Sequence, residues 1–216
     1  MLRGVRLVIY DLDGTLIDSR EAIYATFNRV LVELEETERP RSFIEPMIGL
    51  PLVEMFRRAL PARKHRRVQW CWDRYVEIYD DLAPMTTVIL HGVPDTLSAL
   101  KSRGLIQSVA TSKRSDVARR LLDRLGLLSN FELVLGINDV PKPKPSPDIV
   151  ELTLNTLGVE ARDAVLVEDT VIGLEAGKKA GVHTVGVTTG TDDRKRLTEL
   201  KPDAVIDDMR ELAELV

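Results

Sequence analysis

The sequence has almost no cysteine, few aromatic residues and no long apolar stretch. Its single cysteine, Cys71, cannot form a disulfide within the chain, and its neighbours Trp70 and Trp72 favour a buried, unreactive thiol over a nucleophile. No run of about 18 apolar residues occurs, so we expect no transmembrane helix. The chain enters its first strand pattern almost at once and leaves no room for a signal peptide, so we expect a cytoplasmic protein.

An excess of charge of either sign is also missing. Lys and Arg number 30 and Asp and Glu number 34, which gives a net charge of −4. We therefore expect neither nucleic acid nor a membrane as a partner, and the one basic run, residues 63–67, is typical of a solvated helix face. The 216 residues, 44% of them hydrophobic, suffice for one large or two small domains. Monomer and homodimer both remain open.

Two acidic residues follow an apolar run near the N-terminus. Residues 7–10 have the pattern of a buried parallel strand, Asp11 and Asp13 come directly after it, and Gly14 permits a sharp turn. Open α/β sheets bind ligands at the carboxyl ends of their strands, and paired carboxylates suit Mg²⁺. A plain polar turn is an alternative. A calcium loop is another, although its further Asp or Asn and its distal Glu are missing.

A helical segment comes next. Apolar residues at three- and four-residue spacing predict helices over residues 20–39, 51–60 and 64–82, the first with Ser19 as its cap. We expect residues 17–87 to form an all-helical cap domain, inserted into a core domain of residues 1–16 and 88–216. The loop of residues 49–52 is expected to face the site, the alternative being a plain connection between helices.

Strand and helix patterns alternate in the rest of the chain. Strands are predicted over residues 105–110, 131–136, 164–167, 182–187 and 204–206. Helices are predicted over residues 93–103, between the first four of these strands and at the C-terminus. One of them has Ser146 as its cap and Pro147 in its first turn. This alternation predicts an α/β fold, a Rossmann-like, doubly wound parallel sheet with helices on both faces.

Polar residues follow three of the predicted core strands. They are Thr111, Ser112 and Lys113, then Lys142 and Lys144 in a proline-rich loop, then Glu168 and Asp169. Parallel strands present their carboxyl ends at one edge of the sheet, so we expect these groups to converge on Asp11 and Asp13. Acids, a hydroxyl and a lysine gathered in this way would form a site for a metal ion and an oxyanion.

These segments resemble the motifs of the haloacid dehalogenase-like phosphohydrolases that carry a helical cap after the first motif. The four matching segments are residues 11–16, 109–113, 144–148 and 167–177, and they occur in the family's order over essentially the whole chain. Lys144 is favoured over Lys142 as the motif lysine because Pro147 and Asp148 follow it at the right offset. Within the family, the chain looks most like the phosphoglycolate phosphatases.

The resemblance implies a phosphatase that uses Mg²⁺ and an aspartyl-phosphate intermediate, with a phosphoglycolate-like compound or a sugar phosphate as the small phosphorylated metabolite. Asp11 would be the nucleophile and Asp13 the general acid and base. The metal would be held by Asp11, the Asp13 carbonyl and Asp169, with Glu168 bound directly or through water. The implied phosphate ligands are the side chains of Thr111 and Lys144 and the backbone amides of Leu12, Gly14 and Ser112.

Several departures from the family patterns bear on the activity. Many family phosphatases have a second acid at the position of Gly173, whereas this chain has Glu168 and Asp169 side by side, as do the family's sugar-phosphate mutases. Those mutases resemble one another in a cap histidine and a cap arginine that are Ile23 and Leu52 here, which favours hydrolysis. Dehalogenases and phosphonate hydrolases lack an acid at the position of Asp13.

Two other activities remain as alternatives, a sugar-phosphate mutase and a phosphate-binding regulator without turnover. The presence of Asp11, Asp13, Lys144 and Asp169 together disfavours a regulator, because binding alone needs no catalytic acid and base. Substrate selection is expected to lie in residues 49–56 of the cap, with Arg57, Arg58 and His65 as further candidates.

Overall fold

A six-stranded parallel sheet lies at the centre of the computed structural model, which describes residues 2–216. In chain order the strands are β1 (Leu7–Tyr10), β2 (Ile17–Asp18), β3 (Val88–Ile89), β4 (Ile106–Ala110), β5 (Leu133–Leu135), β6 (Ala164–Glu168), β7 (His183–Val187) and β8 (Ala204–Ile206). Strands β2 and β3 form a separate antiparallel ribbon. The predicted core strands are confirmed to within about two residues at their ends.

Ten helices accompany the strands in the described part of the chain. They are α1 (Arg20–Glu33), α2 (Arg41–Ile44), α3 (Leu52–Ala59), α4 (Val68–Thr86), α5 (Val93–Ser102), α6 (Ser115–Arg124), α7 (Asp148–Leu157), α8 (Val171–Ala180), α9 (Arg194–Glu199) and α10 (Leu212–Leu215). None of them, within residues 2–216, has both the length and the apolar character needed to span a bilayer.

Strand β1 is central in the sheet, whose order is β5-β4-β1-β6-β7-β8. The chain winds to one side of β1 through β4 and β5 and to the other side through β6, β7 and β8. The order therefore reverses at β1, and crevices for ligands form where a doubly wound sheet reverses in this way. The predicted Rossmann-like α/β fold is confirmed.

Alternate side chains of β1 enter two apolar layers. Val8 and Tyr10 pack with residues of α5, α6 and α10 on one face, whereas Leu7 and Ile9 pack with residues of α7 on the other. All four β1 side chains are fully buried. A strand covered on both faces needs a continuous apolar run, which is what residues 7–10 provide.

Helices α1 to α4 form the inserted helical layer, residues 20–86, which contains no strand. Its core is aromatic: the Phe27 and Phe56 rings stack with centroids 4.4 Å apart, and Phe56 meets Tyr75 edge-on. The chain enters and leaves this layer through the ribbon, in which Ile17 pairs with Ile89. The predicted all-helical insertion is confirmed, although β2 lies within the residues assigned to it.

Two helix ends in this layer differ from the prediction. Helix α1 ends at Glu33 rather than at residue 39, because Glu35 has a φ of 57° that no α-helix can contain. Helix α4 continues through Pro84 to Thr86. Pro84 cannot donate to the Asp80 carbonyl, and Arg124 Nη1 donates to that oxygen instead at 2.8 Å.

One predicted cap is correct in position only, another is wrong, and two short helices, α2 and α9, were not predicted. Ser19 occupies the N-cap position of α1, but its hydroxyl donates to the Asp13 carboxylate and makes no capping bond. The Ser146 hydroxyl donates to Asp148, and α7 begins at Asp148 with Pro147 in the N-cap position. Helix α9, between β7 and β8, is capped by Asp193, which accepts from the Arg196 amide at 2.9 Å. That Asp is a recognisable cap signal.

Candidate active site

Lys144 is at the centre of the polar groups gathered beyond the carboxyl ends of β1, β4 and β6. Its Nζ lies 2.8 Å from Asp11 Oδ1, donates to the Ala110 carbonyl at 2.8 Å and also contacts the Glu168 carboxylate. The lysine side chain is only 4% exposed. Burial alone lowers the pKa of Lys144, but the charges of Asp11 and Glu168 outweigh burial and raise it, so the lysine is a cation. Lys142, by contrast, is exposed.

Two buried carboxylates, Asp11 and Glu168, share this lysine, and a third, Asp169, lies beside them. Oxygen atoms of Asp11, Glu168 and Asp169 all lie within 4.8 Å of one another. Burial, followed by the charges of Asp11 and Glu168, raises the pKa of Asp169 well above its usual value. Burial likewise raises the pKa of Asp11, and that of Glu168 to about 7. These carboxylate oxygens carry more negative charge than Lys144 neutralises. Such a set of oxygen ligands fits a hard divalent cation such as Mg²⁺.

The Asp169 carboxylate occupies a slot lined by two glycines. Gly14 has a φ of 85°, and a Cβ there would lie 2.8 Å from Asp169 Cγ; a Cβ at Gly190 would overlap the same carboxylate. Thr15 Oγ1 donates to Asp169 at 3.3 Å and the Thr191 amide at 2.8 Å. The segment after β7 thus completes the site. Sequence reasoning missed it, although a polar run after a fourth core strand was a readable signal.

Glu168 packs directly against Gly173, the first-turn glycine of α8. A Cβ at residue 173 would overlap the Glu168 carboxylate. Thr170 links the two, because its hydroxyl donates to Glu168 at 3.1 Å and accepts from the Gly173 amide at 3.0 Å. Glu168 therefore fills the space that a side chain at position 173 would need, which accounts for the absence of an acid there.

Asp13 is held separately from the three buried carboxylates. Lys113 Nζ lies 3.0 Å from Asp13 Oδ2, and the Ser19 hydroxyl donates to Asp13 Oδ1. Lys113 also donates to the Tyr79 hydroxyl of α4 at 3.2 Å. Burial lowers the pKa of Lys113, but the Asp13 charge outweighs it and raises that pKa. Lys113 was noted in the sequence only as part of a motif, yet it joins Asp13 to the helical layer.

The predicted phosphate ligands differ in whether they line the cavity beside Asp11. Thr111 is 1% exposed and its Oγ1 accepts from the Lys113 amide at 3.1 Å. Thr111 and Ser112 line the cavity described next, whereas Leu12 and Gly14 do not. The Gly14 amide donates to the Ile17 carbonyl at 2.7 Å, so in this structure it is engaged within its own turn.

A cavity of about 230 Å³ separates the sheet edge from the helical layer. Its floor contains Asp11, Asp13, Thr111 and Ser112. Lys144, Glu168 and Asp169 lie beneath that floor and do not line it. The residue 49–52 loop forms part of the roof, which confirms that it faces the site.

The three basic candidates of the helical layer do not line the cavity. Arg57 is exposed, and Arg58 pairs with Glu54 at 2.9 Å on the outer side of α3. His65 is also exposed, with its Nε2 3.1 Å from the Leu60 carbonyl. None of the three reaches the polar groups of the sheet edge.

Comparison with known proteins gives a consistent result. Residues 8–187 match a family model described as "Haloacid dehalogenase-like hydrolase". The chain is 36% identical over 210 residues to a protein named "Probable phosphatase IndB" from Dickeya dadantii, covering 95% of this chain and 91% of that protein. It is 30% identical over 217 residues to pyrophosphatase PpaX of Listeria innocua, covering 100% and 98% of the two chains.

A similar fold occurs among solved structures. The crystal structure of a predicted phosphoglycolate phosphatase from Haemophilus somnus aligns with a TM-score of 0.91, covering 100% of this chain and 99% of that chain. The sequence identity is 22%, so this likeness concerns the fold.

Proposed function

The chain belongs to the haloacid dehalogenase-like hydrolases, and we propose that it is a Mg²⁺-dependent phosphatase that hydrolyses a small phosphorylated metabolite through an aspartyl-phosphate intermediate. One observation carries the proposal: Asp11, at the floor of the cavity, is bonded to Lys144 and lies close to two further carboxylates, with Asp13 two residues away. A binding site alone would need no such arrangement. Phosphoglycolate and sugar phosphates are the first substrates to test.

Asp11 would act as the nucleophile. Lys144 holds its Oδ1, while the residue as a whole lines the cavity. Attack by the other oxygen on phosphorus would form the phosphoenzyme and break the bond to the leaving oxygen, so that one difficult displacement becomes two easier ones.

Asp13 would move the proton. It lines the same cavity, and Lys113 and Ser19 fix its carboxylate. In the first step Asp13 would protonate the leaving alkoxide, and in the second it would take a proton from the water that attacks the phosphoenzyme. The same carboxylate would therefore serve as the acid in the first step and as the base in the second.

Asp11, Asp169 and the Asp13 carbonyl would hold Mg²⁺, with Glu168 bound directly or through water. The ion would supply positive charge that offsets the repulsion between the phosphate and the carboxylates. Thr111, Lys144 and the amides of Leu12 and Ser112 would bind the phosphoryl oxygens. The Gly14 amide would join them only by exchanging its bond to Ile17.

Residues 17–87 would form a cap that closes over a core of residues 1–16 and 88–216. Closure keeps bulk water away from the phosphoenzyme and adds contacts to the leaving group. Ile23 and Leu52, which stand where the family's mutases have a histidine and an arginine, both line the cavity. Apolar side chains there offer nothing to hold the second phosphate of a mutase intermediate, which supports hydrolysis.

Turnover of p-nitrophenyl phosphate, with Mg²⁺ and with EDTA, tests this proposal. We expect activity with the metal and none with the chelator. Asp11→Asn should lower kcat by roughly 10³-fold or more because an amide is a poor nucleophile. Asp123→Asn, at an exposed position on α6, is the matched control and should behave like the parent. Equal activity of the two variants would refute the nucleophile assignment.

A further inference from the structure

The roof of the cavity is almost entirely apolar. The helical layer contributes no charged side chain to it. The apolar side chains that line it include Ile23, Leu50, Leu52, Val53, Trp72 and Val76, and the rings of Tyr75 and Tyr79 lie beside them. This is the side on which the leaving group of a phosphate ester would lie, because the acidic and hydroxyl groups that would receive the phosphate form the floor.

The cationic side chains that line the cavity already have partners. Lys113 pairs with Asp13 at 3.0 Å. Arg114 donates to Asp116 at 2.8 Å and lies over the Trp72 ring, 5.0 Å from its centroid. Among the residues that line the cavity, no unpaired cation remains to receive a second anionic group of the substrate.

Three of the five neutral polar side chains of the lining, Tyr79, Thr111 and Asn138, are engaged as well. The Asn138 amide accepts from the Ser115 backbone at 2.8 Å and donates to the Ser115 hydroxyl at 3.0 Å. The Tyr79 hydroxyl accepts from Lys113. A strongly hydrated leaving group would therefore lose water on entry without gaining equivalent hydrogen bonds, whereas an apolar one would gain from leaving water.

We propose that the preferred substrate is a phosphate monoester of an uncharged, predominantly apolar alcohol. This inference rests on the proposed phosphatase function and narrows it. It differs from the phosphoglycolate-like or sugar phosphate implied by the family resemblance, since those compounds carry a carboxylate or several hydroxyls.

A matched panel of substrates provides the test. 2-Phenylethyl phosphate and 2-phosphoglycolate are both esters of primary alcohols, and they differ in whether the leaving group carries an apolar ring or a carboxylate; pyrophosphate is the anionic extreme. We expect kcat/KM for 2-phenylethyl phosphate to exceed that for the other two by about tenfold or more, the discrimination that an apolar pocket typically gives. A preference for either anionic substrate would overturn the inference while leaving the phosphatase proposal intact. Absence of all turnover, including that of p-nitrophenyl phosphate, would refute the phosphatase proposal itself.

Two tryptophans on helix α4 supply the variant and its control. Trp72 lines the cavity, whereas Trp70 does not and instead packs under Arg67. Trp72→Ala should lower kcat/KM for 2-phenylethyl phosphate by about tenfold and that for 2-phosphoglycolate much less, and Trp70→Ala should keep the parent preference. Equal effects of the two substitutions on the preference would contradict the inference.

A second variant guards against loss of folding in Trp72→Ala. Leu52 is partly exposed and lines the cavity, so Leu52→Arg adds a cation there without filling a closed core. This variant should shift the preference toward 2-phosphoglycolate by about tenfold relative to the parent. An unchanged substrate preference in a folded Leu52→Arg protein would contradict the inference that the leaving group lies against the roof of the cavity.

Discussion

The floor and the roof of the cavity are built from opposite kinds of side chain. The floor belongs to the sheet edge, where Asp11 pairs with the buried Lys144 beneath it and lies close to the buried Glu168 and Asp169. The roof belongs to helices α1, α3 and α4 and presents aliphatic and aromatic side chains. The floor is therefore suited to bond breaking at phosphorus, and the roof to selection of what is attached to the phosphate.

The two sides also differ in what stabilises them. Buried charges are costly, and removing one partner leaves the others uncompensated. Apolar packing tolerates change more gradually, because a substitution of similar volume loses little. Substitutions among the buried charges at the sheet edge should therefore have large effects, and substitutions of exposed residues in the helical layer small ones. Three comparisons test this contrast.

The largest effect is expected from Lys144→Met. The substitution leaves three close carboxylates without their only cation, so we expect a loss of about 3–5 kcal/mol in the free energy of unfolding together with loss of phosphatase activity. Lys142→Met, two residues away but exposed, should stay within about 0.5 kcal/mol of the parent. Chemical denaturation without metal measures both. Similar stabilities would mean that the Lys144 contacts are not as the structure has them.

An intermediate effect is expected where Glu168 packs on Gly173. Gly173→Asp alone should destabilise the protein by about 2–4 kcal/mol, because the new side chain overlaps Glu168 and adds a fourth buried acid. The double variant Glu168→Ala/Gly173→Asp moves the carboxylate rather than adding one, and should recover most of that loss.

The rise in Tm on adding Mg²⁺ checks the same pair of positions. At 100 times the dissociation constant, a ligand of the native state adds about 2.7 kcal/mol of stability. The double variant should retain a Mg²⁺-dependent rise, whereas Asp169→Asn should lose it. A double variant no more stable than Gly173→Asp would show that the two positions do not share one space.

The smallest effects are expected at the basic residues of the helical layer. Arg57→Ala, Arg58→Ala and His65→Ala should each change kcat/KM by less than about twofold, because these side chains lie outside the cavity, and exposed ion pairs contribute about 0–1 kcal/mol. Steady-state kinetics on p-nitrophenyl phosphate measures this. A tenfold loss in any of them would place a substrate contact where the structure has none.

The floor was far more predictable from sequence than the roof, for a physical reason. The polar residues in and beneath the floor that come at the end of a strand follow an apolar run that is easy to recognise. A parallel sheet brings such strand ends to one edge, so Asp11, Thr111 and Glu168 could be placed together without coordinates. Lys144 could be separated from Lys142 only by resemblance to a family motif. Gly190 and Thr191 were missed because they contribute to the site through a close backbone approach and a backbone amide, which side-chain patterns do not reveal.

The roof depends on directions that periodicity does not give. An apolar residue such as Val76 can face a helix partner or a cavity, and the spacing of apolar residues is the same in both cases. The basic candidates Arg57, Arg58 and His65 were named for their charge, yet charge favours the solvent side of a helix. The direction of the Lys113 side chain was likewise not readable from the sequence. Only the structure shows that it contacts both Asp13 and Tyr79.

The ribbon of β2 and β3 constrains how the two layers can move. The two chain segments that connect the core to the helical layer lie side by side and pair as antiparallel strands, with Asp18 opposite Val88. A movement of the helical layer would therefore be a rotation about this ribbon and not a translation. Ser19, the next residue along, is bonded to Asp13. A swing of the layer would therefore act first on Asp13, the carboxylate that we propose to transfer the proton, and would couple access for water to the second chemical step.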